Sequence, residues 1–132
     1  MIGIDTNVLV RYLAQDDPDQ TRIATEFIEK KCSETDPAFI NHIVLCETVW
    51  ILERLYDVKK SLIAEILEKI LNTEQFKIHM VDIVWRALQE FKLKNKVDFA
   101  DCLLSQINTE NGCRETVTFD KAAAETSGYN LL

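Results

Sequence analysis

Short apolar runs that keep giving way to amphipathic helical stretches predict an α/β protein. The expected arrangement is a three-layer α/β/α fold around a short, mostly parallel sheet of four or five strands. Two observations carry this. The opening run Met1-Ile2-Gly3-Ile4 meets Asp5, and a helical apolar pattern starts immediately after it. The same exchange then recurs along the chain with no internal repeat, low-complexity tract or linker, and with only three glycines and two prolines. One domain over residues 1–132 follows as the expected organisation.

The elements can be justified in order. The first strand ends on Asp5, and a helix begins at Thr6 or Asn7 and runs to about Ala14. Gln15-Asp16-Asp17-Pro18-Asp19 is a polar break, in which Asp17 can cap a helix with Pro18 at its first position. That helix puts Ile23, Ala24, Phe27 and Ile28 on one face and ends near Cys32. Ala38-Phe39-Ile40 reads as a second strand after the turn at Thr35-Asp36-Pro37. Asn41 caps the next helix, whose apolar positions are Val44, Leu45, Val49, Trp50, Leu52 and Leu55. Leu62, Ile63, Ile66, Leu67, Ile70 and Leu71 recur at helical spacing, and Phe76-Lys77-Ile78-His79 alternates as a third strand. Val81, Val84, Trp85, Leu88 and Phe91 mark another helix, and a basic break at Lys92-Leu93-Lys94-Asn95-Lys96 separates it from one running from Asp98 to about Glu110. Gly112 closes that helix. Thr116-Val117-Thr118-Phe119 is a fourth strand, Asp120 to Glu125 a short helix, and Tyr129-Asn130-Leu131 a last strand.

Composition narrows the class. Hydrophobic residues make up 47% and charged residues 28%, as in an ordinary soluble domain. No apolar run approaches the ~20 residues a membrane span needs. The first strand starts at residue 2 with no basic-then-apolar leader, so the expected location is the cytoplasm. Cys32, Cys46, Cys102 and Cys113 form no C-x-x-C pair, and with only His42 and His79 available there is no zinc-ligand spacing. Buried or half-buried thiols in a reducing compartment are expected. A net charge of −7 argues against binding nucleic acid through a basic field. Clustered carboxylates could account for part of it, because a bound divalent cation would reverse the local sign.

Four acids fall at strand ends or on the helices that follow. Asp5 ends the first strand, Glu47 lies in the second turn of the helix after the second, Asp101 lies in the first turn of the helix from Asp98, and Asp120 follows the fourth strand. In a parallel sheet these places fall near one edge, where unpaired carboxylates raise one another's pKa and a hard cation relieves the repulsion. Asp98, Asp101, Ser105 and Asn108 share one polar helical face. The plain alternatives are cap roles for Asp98 and Asp120 and a solvated surface for Glu47, although its apolar flanks suggest a cleft. Asp5 has the least obvious structural use.

The motifs Ile-Asp-Thr-Asn-Val-Leu-Val-Arg-Tyr-Leu at 4–13, Asp-Phe-Ala-Asp-Cys-Leu-Leu at 98–104 and Val-Thr-Phe-Asp at 117–120 resemble those of PIN-domain ribonucleases. Among these, the VapC-type toxins of bacterial toxin–antitoxin pairs are the most similar, and the resemblance covers essentially the whole chain. It implies that Asp5, Glu47 and Asp101 form an acidic triad with Asp120 as the more variable fourth acid, together holding Mg²⁺ or Mn²⁺. Thr6 and Asn7 match the polar pair that orients the first carboxylate and the substrate. Asp98 matches a position often acidic in these toxins, and Ser105 on its polar face is a further substrate or supporting candidate. Cys102 stands where such proteins more often carry a small residue. The implied chemistry is hydrolysis of RNA by metal-activated water, leaving 5′-phosphate and 3′-hydroxyl ends. Arg11 and, less specifically, Lys92, Lys94 and Lys96 are phosphate-contact candidates. The implied partners are an RNA substrate and a cognate antitoxin, with no membrane.

The apolar faces at 44–55 and 62–71 exceed what a thin fold obviously buries, which predicts a homodimer. Two other classes compete. A phosphatase or receiver-type phosphotransfer domain would want a second acid beside Asp5, and Asp5-Thr6-Asn7 lacks one. A non-catalytic PIN-like module that binds a protein would be signalled by loss of acids, and all four are present.

Overall fold

Strand β1 contains only Ile2–Gly3 before Asp5, in extended conformation, turns the chain into helix α1, Thr6–Ala14. Gln15 ends α1 in the left-handed region at φ 55°, its N–H reaching the Arg11 carbonyl. The computed structural model describes all of residues 1–132 and divides them into two units, Met1–His79 and Met80–Leu132.

In the first unit, Asp17 caps α2 (Pro18–Glu26) by accepting from the Gln20 N–H at 3.0 Å, with Pro18 in the first turn as expected. The helix then loosens into a π-helical turn, Phe27–Lys31, which carries the buried Ile28. Strand β2 is Ala38–Ile40, α3 His42–Arg54, α4 Lys60–Leu71 and β3 Phe76–Ile78. The sheet order is β1-β2-β3 with both pairings parallel, Ile2 opposite Ala38 and Ile40 opposite Ile78. Each parallel step needs a long crossover, supplied by α1–α2 and then by α3–α4. Ile40, Leu45, Ile63, Leu67 and Ile70 are essentially inaccessible and form the apolar centre of this unit.

The expected apolar stripe of α3 is only partly buried. Val44, Leu45, Val49 and Leu52 point inward, whereas Trp50 is 53% exposed and Leu55 72%. Trp50 instead lies under the Arg54 guanidinium, 5.7 Å from the ring centre, where a cation–π contact occupies one face. Asn41 caps α3 as expected, its Oδ1 accepting from the Val44 N–H at 3.1 Å. Asn41→Ala should therefore cost about 1 kcal/mol of stability, read as a lowered urea midpoint with unchanged slope.

In the second unit, α5 (Val81–Leu93) and α6 (Phe99–Glu110) pack as a hairpin. Phe91 and Phe99 meet edge to face at 5.9 Å, both fully buried. Gly112, at φ 86°, provides the left-handed exit after α6. Strands β4 (Thr116–Thr118) and β5 (Tyr129–Leu131) pair in parallel, Thr116 opposite Tyr129. Their connection holds one 3₁₀ turn, Ala123–Glu125, in place of the longer helix expected from Asp120. The strands thus number five and every pairing is parallel, but no ladder joins the two sets. A three-stranded and a two-stranded sheet replace the single sheet of four or five. Strands of two or three residues carry too little alternation to specify a neighbour.

No helix is long and apolar enough to cross a membrane. None of the four cysteines is in a disulfide. Cys32 and Cys102 are buried as expected, while Cys113 is exposed, contrary to expectation, because it follows the α6 cap in the loop before β4.

Candidate active site

The first unit contributes Asp5 and Glu47. Asp5 is the N-cap of α1, and its Oδ1 accepts from the Thr6 N–H at 2.7 Å. The expectation that Asp5 lacks a structural use is corrected by this bond. The cap engages one carboxylate oxygen, and the side chain stays exposed. Thr6 orients Asp5 through its backbone, because its own hydroxyl is buried without a hydrogen-bond partner. Asp5, Asn7 and Arg11 line one groove of about 600 Å³, together with Ile23, Phe27 and Lys31. The Arg11 guanidinium is already engaged, Nε donating to Gln20 at 2.7 Å and Nη1 to Asp16 at 3.1 Å. Tyr56 donates to the other Asp16 oxygen at 2.6 Å, and this bond, more than the Arg11 charge, lowers the Asp16 pKa.

Glu47 sits on the exposed face of α3 with Ile43 and Trp50, turned away from its buried neighbours Val44, Leu45 and Thr48. The two histidines are occupied with each other: His42 Nε2–H donates to the His79 carbonyl at 2.6 Å, and the rings lie 4.8 Å apart. Burial lowers the His42 pKa, and the backbone bond to His79 offsets this only in part.

The second unit contributes Asp98, Asp101 and Asp120. Asp98 occupies the N-cap position of α6 in extended backbone, yet its side chain makes no capping hydrogen bond. That corrects the expected cap role and leaves an exposed carboxylate unspent. Asp101 is half-buried one turn later. Its pKa is raised, first by burial and then by the charges of Asp98 and Asp120. Asp120 does act as a cap, its Oδ1 accepting from the N–H groups of Ala122 at 2.8 Å and Ala123 at 3.3 Å. Asp98 and Asp120 thus add their charge to the burial that raises the Asp101 pKa.

Ser105 does not share the open face with Asp98 and Asp101. It is 3% exposed and donates to the Ser127 carbonyl at 2.5 Å, so its hydroxyl serves the chain itself. Of the lysine candidates, Lys94 is spent on Glu90 and on the 125–127 loop, whereas Lys92 and Lys96 are exposed. One residue escaped the sequence reading. Tyr129, the first residue of β5, is half-buried beside α6, and its pKa is pushed up to about 12 by burial and then by Asp101, Cys102 and Asp98.

Neither unit gathers three His, Cys, Asp or Glu side chains into a ready-made ion cage. The donor chemistry nonetheless fits a hard divalent cation. Mg²⁺ takes one or two carboxylates and completes its shell with water and substrate phosphate oxygens. A carboxyl destabilised by neighbouring carboxylates is the place where such an ion relieves most repulsion.

Parallel strands joined by helical crossovers, with acids at the starts of the following helices, define a small α/β protein of a recognisable kind. The chain belongs to the PIN-domain family, whose profile matches residues 2–129, and membership carries the expected α/β/α fold class. Over 118 residues it is 28% identical to a VapC ribonuclease of Aquifex aeolicus (strain VF5), an alignment covering 89% of this chain and 86% of that protein.

Proposed function

We propose that the protein is a metal-dependent endoribonuclease and the toxin component of a toxin–antitoxin pair. The observation that carries this is Asp101, half-buried with its pKa raised by burial and by the charges of Asp98 and Asp120, in a chain of the PIN-domain family. Likeness to a VapC ribonuclease supports the substrate class. A family match that runs through both units supports reading the 132 residues as one domain.

Asp5, Glu47, Asp101 and Asp120 would hold Mg²⁺ or Mn²⁺. Such an ion, when bound, supplies Lewis-acid polarisation of the phosphate and a water of lowered pKa. The chain's own groups do the rest. Thr6 fixes the rotamer of Asp5 through its N–H. Asn7 faces the same groove as Asp5 and offers an amide donor to a phosphate or sugar oxygen. Arg11, tied to Asp16 and Gln20, acts as a fixed positive charge lining that groove. Asp98, free of a cap bond, adds negative charge next to Asp101.

The partners on this reading are RNA, a cognate antitoxin and a second copy of the chain. Exposed Ile43, Trp50, Leu55 and Leu62 on and between α3 and α4 support the homodimer. Four cysteines outside any disulfide support a reducing, cytoplasmic location.

The experiment is cleavage of structured RNA by the purified protein. Cleavage is expected with Mg²⁺ or Mn²⁺, to cease with EDTA and to return when the ion is restored in excess. Cleavage that persists in EDTA at the same rate defeats the metal-dependent mechanism.

A further inference from the structure

The segment before β5 is tied down more tightly than a surface loop near a chain terminus usually is. Lys94 Nζ donates to the Glu125 carbonyl at 2.8 Å and to Ser127 Oγ at 3.1 Å, and pairs with Glu90 at 3.0 Å. The Ser127 N–H donates to Glu90 Oε1 at 2.6 Å. From the other side, the buried Ser105 hydroxyl donates to the Ser127 carbonyl at 2.5 Å. The loop is thereby fastened to both α5 and α6.

Gly128 completes the fastening. It sits at φ +84°, where a side chain is strained, and a Cβ there would stand 2.8 Å from Ser105 Oγ. The chain leaves this close approach directly into Tyr129, whose N–H donates to the Thr126 carbonyl at 3.1 Å. Register with Thr116 is held in turn by Asn108, which donates to Thr116 Oγ1 at 2.8 Å. These bonds fix the Tyr129 backbone next to the Gly128–Ser105 approach, and Ser105 lies on α6 one turn after Asp101. The Tyr129 ring lies half-buried where Asp98, Asp101 and Cys102, at i, i+3 and i+4 of one α6 face, act on it electrostatically.

We propose that Tyr129 is a substrate-binding residue of the candidate site, offering its phenolic O–H to a phosphate oxygen of the RNA strand that Asp98 and Asp101 face. This rests on the ribonuclease reading above. An anionic strand approaching a group of carboxylates needs neutral or cationic donors close by. The Ser105 hydroxyl and the Lys94 ammonium, two other donors on the same framework, are engaged by the loop. A phenol carries a donor with no charge and brings a rigid ring at little entropic cost. The Ser105–Gly128 approach and the Glu90–Lys94–Ser127 bonds are, on this account, the means of holding that donor in place.

The test is steady-state cleavage of an RNA oligonucleotide with Mg²⁺, comparing the parent protein with Tyr129→Phe, Ser105→Ala and Asp101→Asn. Loss of one hydrogen bond to a charged oxygen should raise KM about tenfold in Tyr129→Phe with kcat within about twofold. The thermal midpoint should be unchanged, since the ring is kept. Ser105→Ala should show the same KM shift in weaker form, because it loosens the loop and leaves the phenol in place. Fluorescence-anisotropy binding of the same oligonucleotide without metal should weaken in parallel for Tyr129→Phe. Parent-like KM and binding in Tyr129→Phe overturn the inference, as does a loss confined to kcat. If Asp101→Asn also cleaves like the parent, the ribonuclease site itself is wrong. If Asp101→Asn is inactive and Tyr129→Phe is normal, only the role of Tyr129 falls.

Discussion

Asp101→Asn should abolish RNA cleavage while leaving the protein as stable as the parent or more so. The Asp101 carboxyl has its pKa raised by burial first and by Asp98 and Asp120 next. Below the unfolded-state value, both states hold the proton and no penalty exists. As pH rises from there through the raised folded value, the unfolded chain ionises first, so the folded state loses stability relative to it. That loss persists at neutral pH. Asparagine removes the charge and with it the penalty, and the thermal midpoint at pH 7 should hold or rise. Activity should fall at least about a thousandfold, because Lewis-acid stabilisation of a phosphoryl transition state is worth several kcal/mol. Mg²⁺ should raise the midpoint of the parent and raise that of Asp101→Asn less. Parent-like cleavage by Asp101→Asn would remove this residue from the site.

The same substitution at Asp5 separates its observed capping role from the metal-holding role proposed for it. Asparagine caps helices about as well as aspartate, so Asp5→Asn keeps an acceptor for the Thr6 N–H and should shift the urea midpoint little. A fall in cleavage comparable to that of Asp101→Asn then reports the lost charge and not a frayed α1. Asp5→Ala, which removes the cap as well, should lose stability in addition.

Helices and most strands were legible because each carries its own period. α1 starts at Thr6, Asp17 and Asn41 cap as read, and Gly112 exits α6 in the left-handed region. What was not legible is non-local. Residue type makes both Asp5 and Asp98 good caps, but only side-chain rotamers decide which of them bonds, and the outcome reversed the expectation. A helical wheel puts Ser105 with Asp98 and Asp101, yet it cannot see the 125–128 loop that covers the Ser105 hydroxyl. Trp50 fits an apolar stripe by spacing, and its exposure depends on what α3 packs against. Tyr129 left no signal beyond its place in a short strand, since its acidic neighbours belong to a helix well upstream. The places of Asp5 and Asp120 just beyond β1 and β4 were readable because the end of a strand is a local pattern.

Phe99→Ala should be the most destabilising single change in the second unit, costing about 3–5 kcal/mol by urea unfolding. The side chain is wholly inaccessible and meets Phe91 edge to face, an arrangement that adds to the burial itself. Its place in the chain makes the expected consequence reach the site. Phe99 directly follows Asp98 and precedes Asp101 by two residues, so its anchoring fixes the rotation of the first turn of α6. A cavity there lets that turn adjust, and side chains one turn apart move with it. Phe99→Leu fills most of the volume and should cost less than half as much. If the acids on α6 act through their placement, the two variants should lose cleavage in the same order as they lose stability, measured at a temperature where both remain folded. Undiminished cleavage by folded Phe99→Ala would show that the position of Asp101 tolerates more freedom than a metal-holding carboxylate should.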